Sequence, residues 1–149
     1  MLIFLDIDGV MVPAKGWKSP ELLDDGFPVF SSKATYALQQ LLSEEAIVML
    51  TTSHKANFSI DEWKDIFKKR GISIENLGCL PVNFNNINRK EEIINWFNLN
   101  NTNQEFVIID DDKSLNDLPV FLKKRLVQTS SYIGLTEEHL SLVPGLQVA

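Results

Sequence analysis

The sequence predicts an α/β domain with a mainly parallel sheet and helices on both faces, on three observations. Short apolar runs alternate with stretches of helical periodicity along the chain. The first and last strong runs are apolar at nearly every position, as strands covered on both faces require. Three of the runs also stop at polar residues: Asp6-Ile7-Asp8-Gly9, Thr51-Thr52-Ser53 and Asp110-Asp111-Asp112. Parallel sheets bind their ligands at such carboxyl ends.

Residues 2–6 read as a fully buried strand. Between Met11 and Phe30, Pro13, Gly16, Pro20, Gly26 and Pro28 forbid a long helix. Ser31 or Ser32 can cap a helix running to about Glu45, with Ala34, Ala37, Leu38, Leu41 and Leu42 on one face. Residues 46–50 are an apolar strand. Ser59 and Glu62 have capping-box spacing, the helix they open turns Trp63, Ile66 and Phe67 inward, and Gly71 ends it. Ile72 to Ile74 is a weak strand candidate. Asn88 and Glu91 repeat the capping spacing before a helix that dissolves in Asn98, Asn100 and Asn101. A strand at 106–109, a short helix around 118–124, a strand at 125–128 and a helix capped by Thr136 complete the series, with Glu137 and Glu138 placed to favour the last helix's positive end.

The 149 residues, 44% hydrophobic and 23% charged, suit one domain spanning 1–149. No run approaches the roughly 20 apolar residues needed to cross a bilayer. Met1 leads into a core strand without a basic segment or cleavage site, so a cytoplasmic location is expected, with no membrane partner. The single cysteine, Cys79, excludes an internal disulfide framework and reads as a small buried apolar residue. A net charge of −6 argues against broad, nonspecific adhesion to nucleic acid or anionic lipid, though not against a local basic patch.

The chemistry concentrates at the strand ends. Asp6 and Asp8 lie two apart, where a strand would point both the same way, and Gly9 allows the turn that brings them to one site. Crowded carboxylates repel unless a cation lies between them, and hard oxygen donors suit Mg²⁺. An Asp-x-Asp-Gly turn alone needs no chemistry, but three more signals follow it. Thr51, with Thr52 as the one-residue alternative, places a hydroxyl where it can donate to a phosphoryl oxygen. Lys90 lies in the first turn of a helix, where a lysine opposes the helix dipole and so fits a nearby anion; Arg89 is its substitute. Asp110, Asp111 and Asp112 follow four apolar residues, and their repulsion is of the kind a divalent cation relieves; Asp112 can instead cap the next turn.

Asp-x-Asp, then Thr, then Lys, then Asp-Asp resembles the motif series of the haloacid dehalogenase (HAD) superfamily, over residues 6 to 111. The first strand, Thr51-Thr52-Ser53-His54-Lys55, the Asp run and the tail from Arg125-Leu126-Val127-Gln128-Thr129 to Gly134-Leu135-Thr136-Glu137-Glu138 resemble the small HAD domains grouped with RNA-repair proteins. Where those domains often carry Ser-Trp-Arg, this chain has Ser53-His54-Lys55. The resemblance implies a three-layer Rossmann-like fold and an aspartyl-phosphate phosphatase. Asp6 would be the nucleophile and Asp8 the acid and base. Asp6, the backbone carbonyl of Asp8 and Asp110 would hold Mg²⁺, helped by Asp111, while Thr51 and Lys90 would bind the phosphoryl group.

Neither interval between motifs has room for a large cap domain. An open site suits a phosphate on a large substrate, such as a polynucleotide end. Trp17, Phe27, Phe30 and Phe58 could stack on a base there, although aromatics of this kind more often form core. A receiver-like phospho-acceptor would place its Thr and Lys after the phosphorylated Asp, unlike the order here, and a catalytically silent binding module would not need both Asp6 and Asp8. His54 and His139 are assigned no role.

Overall fold

The computed structural model describes residues 1–14, 19–82 and 87–143. Five parallel strands, β1 (Leu2–Leu5), β2 (Ile47–Leu50), β3 (Asn76–Cys79), β4 (Phe106–Asp110) and β5 (Leu126–Gln128), form one sheet in the order β3-β2-β1-β4-β5. β1 is therefore central. The chain winds outward from β1 through β2 to β3, then crosses to β4 on the other side, so the strand order reverses between β1 and β4.

Period two divides β1 between two cores. Ile3 and Leu5 join a cluster with Ala34, Leu38 and Leu41 of α1 (Ser32–Leu41) and Trp63, Ile66 and Phe67 of α2 (Ile60–Lys69). Leu2 and Phe4 join a second cluster with Ile93 of α3 (Arg89–Asn100) and Leu122 of α4 (Val120–Lys123). Helices thus cover both faces, as expected. The cappings are also found: Ser31 accepts from the Ala34 amide, Ser59 and Glu62 bond reciprocally, and Asn88 accepts from the Glu91 amide. No helix among the described residues is long and apolar enough to cross a membrane.

Some expectations shift. The third strand is Asn76–Cys79, not Ile72–Ile74. Ile72 and Ile74 are buried in the first core cluster instead, and β3 owes its conformation to pairing with β2 rather than to its Asn-Leu-Gly-Cys sequence. The first helix stops at Leu41, well short of Glu45. The segment after Thr136 is a 3₁₀ helix, Glu137–Leu142. Cys79 is only half-buried against the core. Phe27 and Phe30 are buried, and with Phe58 they pack edge-on around Trp63 and Phe67 as core; Trp17 lies outside the described residues.

The segment from Glu21 to Phe30 folds back on itself, with Val29 donating to Glu21 and Leu23 to Phe27. Arg70, at the end of α2, anchors it. Its guanidinium makes a two-pronged pair with Asp25 (2.7 and 3.1 Å) and donates to the carbonyls of Pro28 (2.9 Å), Phe27 (2.8 Å) and Ile66 (2.7 Å). It also lies over the rings of Phe27 and Phe30.

Candidate functional site

The sheet register builds the site. Leu5 is paired with Leu50 on one side and Ile109 on the other, so the next residues, Asp6, Thr51 and Asp110, emerge side by side at the carboxyl end. The Asp6 amide still donates to Ile109 (3.1 Å) and the Thr51 amide to Leu5 (2.9 Å), which fixes both backbones. All three residues are buried.

One carboxylate oxygen from each of Asp6, Asp110 and Asp111 falls within 4.8 Å of the others. Desolvation, then the neighbouring Asp110 carboxylate, pushes the Asp6 carboxyl far above the usual range against the opposing pull of Arg89. Burial likewise raises Asp110, with Arg89 again opposing. Three acidic oxygens of this kind make a hard donor set suited to a divalent cation, which would relieve the repulsion. Asp112 does not join them; it accepts from the Ser114 amide (2.8 Å) and caps the following 3₁₀ turn, the alternative its position suggested.

Among the described residues, Arg89 is the cation that pairs with this cluster. Its Nη1 lies 2.6 Å from Asp110 and 3.5 Å from Asp6, and 3.5 Å from the Thr51 hydroxyl. Lys90, the residue preferred on sequence, is the next residue of α3; both are half-buried, but it is the substitute, Arg89, that meets the cluster. Consecutive helical residues lie about 100° apart around the axis, so only one of the two can face the cluster. Thr51 Oγ1 donates to Asp110 (3.3 Å), whereas Thr52 Oγ1 accepts from the His54 amide (3.2 Å) and caps the turn. Thr51 is therefore the hydroxyl on the cluster.

Two further partnerships lie outside the motif series. Lys55 is buried and pairs with Glu92 (2.9 Å), which in turn lies 3.7 Å from Arg89 Nε, so charges alternate from Lys55 to Asp110 behind the site. Asp8 is the exposed member of the group, and its Oδ2 lies 2.8 Å from His54 Nε2. Lys55 follows the strand-end hydroxyls closely and hints at a charge there, but nothing in the sequence joins His54 to Asp8.

A cleft of about 810 Å³ opens beside the cluster, lined by Asp8, Gly9 and Asp111 and by Val12, Val29 and Phe30 among others. Gly9 has φ +79°, and a Cβ there would fall on the Asp111 carboxylate. Gly9→Ala should therefore displace Asp111 and add about 1–2 kcal/mol of left-handed backbone strain. Calorimetric titration is expected to show Mn²⁺ or Mg²⁺ affinity reduced about tenfold or more, equivalent to about 1.4 kcal/mol. Unchanged affinity would remove Asp111 from the cation site.

No curated protein sequence and no solved structure matches the chain. A family model, the HAD domain in Swiss Army Knife RNA repair proteins, matches residues 2–140. The match spans all five strands and every residue of the cluster, and the sheet is that of a small Rossmann-like HAD domain without a cap. The chain belongs to the family of HAD domains found in Swiss Army Knife RNA repair proteins.

Proposed function

We propose that this domain is a Mg²⁺-dependent phosphomonoester hydrolase that works through an aspartyl-phosphate on Asp6, in the cytoplasm, on a large or exposed substrate such as a polynucleotide end. The observation that carries the reading is the meeting of Asp6, Asp110 and Asp111 at the ends of two adjacent strands. The family's link to RNA repair supports the nucleic-acid end as substrate. The cleft and the absence of a cap leave room for one.

Asp6, Asp110 and Asp111, with the Asp8 carbonyl, are the residues that would hold Mg²⁺, whose charge would offset that of the phosphoryl oxygens. The Asp6 carboxylate attacks phosphorus as the ester oxygen leaves, and Asp8 donates a proton to that oxygen. Water then attacks the aspartyl-phosphate, gives its proton to Asp8 and restores Asp6. Thr51 and Arg89, which both donate to Asp110, would bind the phosphoryl oxygens, Arg89 taking the role that the resemblance gives to Lys90.

The test is phosphate release from nucleotides, sugar phosphates, phosphopeptides and oligonucleotides phosphorylated at either end, with Mg²⁺ and then with EDTA. Mg²⁺-dependent release that is fastest from oligonucleotide ends is the expected result. Fastest release from a small metabolite would overturn the substrate assignment, and no release from any of them would count against the hydrolase reading itself.

A further inference from the structure

We infer that His54 is a positioning residue for Asp8, holding the proton donor against the oxygen of the leaving group. This rests on the phosphatase reading above and gives a role to a side chain that the motif series leaves out. Asp8 is 59% exposed, and a side chain so placed would sample several rotamers if nothing held it. Among the described residues, its side-chain partner is His54, at 2.8 Å from Nε2 to Oδ2.

His54 has two contacts of its own, one through its backbone and one through its ring. Its amide donates to Thr52 Oγ1, and its ring stands edge-on to Phe27 at 5.8 Å and 85°. Phe27 is in turn buried under the Arg70 guanidinium. The imidazole therefore links the acid to the aromatic part of the first core. An imidazole with hydrogen on Nε2 donates to Oδ2 and leaves Oδ1 as the proton-transferring oxygen. Asp8 also lines the cleft, so a leaving group held in the cleft would lie beside it.

In the first half-reaction the bond from Asp6 to phosphorus forms and the ester bond breaks. The electron pair passes to the departing oxygen, and the Asp8 proton goes with it. An alkoxide needs that proton far more than a nitrophenolate does, so a misplaced Asp8 penalises poor leaving groups selectively.

The experiment measures kcat/KM with Mg²⁺ on p-nitrophenyl phosphate and on an alkyl monophosphate, for the wild type, His54→Phe and His54→Gln. Phe keeps the ring against Phe27 and removes the donor, while Gln returns an N–H donor. The loss in His54→Phe should be about tenfold or more greater on the alkyl ester than on the aryl ester, and His54→Gln should recover most of it. Equal losses on the two esters, or no recovery with Gln, would overturn the role of His54 while leaving the phosphatase reading in place. If the wild type released phosphate from neither ester nor any oligonucleotide end, both would fall.

Discussion

Asp6→Asn is expected to lose at least about 10³-fold of the Mg²⁺-dependent phosphate release, and in metal-free buffer at pH 7 to melt a few degrees above the wild type. The first effect follows from removing the proposed nucleophile, whose register beside Thr51 and Asp110 no other carboxylate among the described residues shares. The second follows from burial. Desolvation and Asp110 hold the Asp6 carboxyl far above its usual range, so the metal-free fold must either take up a proton or bury an opposed charge. An asparagine does neither, and at this chain length each kcal/mol recovered is worth roughly 2–4 °C. Added Mg²⁺ should reverse the order, because it stabilises only the protein that binds it. Scanning calorimetry with and without the ion reads both effects. A variant that melts below the wild type in EDTA would show that Asp6 stabilises the metal-free fold.

Arg70→Met should be the most destabilising single change on the surface of the first core. The guanidinium is almost wholly buried, and its removal strands the Asp25 carboxylate together with the carbonyls of Phe27, Pro28 and Ile66. Losing one partner of a buried, hydrogen-bonded pair costs about 3–5 kcal/mol, or roughly 10 °C in melting temperature here. The cleft wall at Val29 and Phe30 would loosen with it, raising KM more than it lowers kcat. A milder probe is pH. The Arg70 hydrogen bonds, more than any other cause, lower the Asp25 carboxyl to about 2 from an ordinary 3.8. The folded state therefore holds this proton more weakly than the unfolded chain, and the pair stabilises fully above about pH 4 and not at all well below pH 2. Melting of wild type and Asp25→Asn should accordingly differ at pH 5 and converge as pH falls through 2; a constant gap would show that the pair contributes nothing through charge.

The strand-end residues were legible because they combine two independent regularities, a buried apolar run and a sudden polar stop. Asp6, Thr51 and Asp110 each follow such a run, and register alone brings them together. The third strand was not legible, since Asn76-Leu77-Gly78-Cys79 has little β preference and is held by its neighbour, while Ile72 and Ile74 imitate a strand because they too are buried. The choice between Arg89 and Lys90 turns on helix phase relative to the sheet. Two adjacent cations at a helix start carry no sign of which one faces inward, and Asn88 caps the helix whichever it is. His54 was invisible for a related reason. Its partner Asp8 leaves the strand through a glycine turn, and the direction of an exposed side chain after such a turn is not written in any periodicity.

The central place of β1 bears on how the protein reaches its folded state. Leu2 must find both Ile47 and Phe106, the latter across most of the length of the chain, and parallel pairings this distant form slowly. Asp6 and Asp110 lie just beyond that second pairing, so they can meet only once β4 has joined β1. During synthesis the N-terminal strand and both helices of the first core emerge before the residues that complete the acidic cluster. Capture of a divalent ion by the cluster would then report the closing of the sheet, and a chain stalled before β4 would lack the proposed ion site.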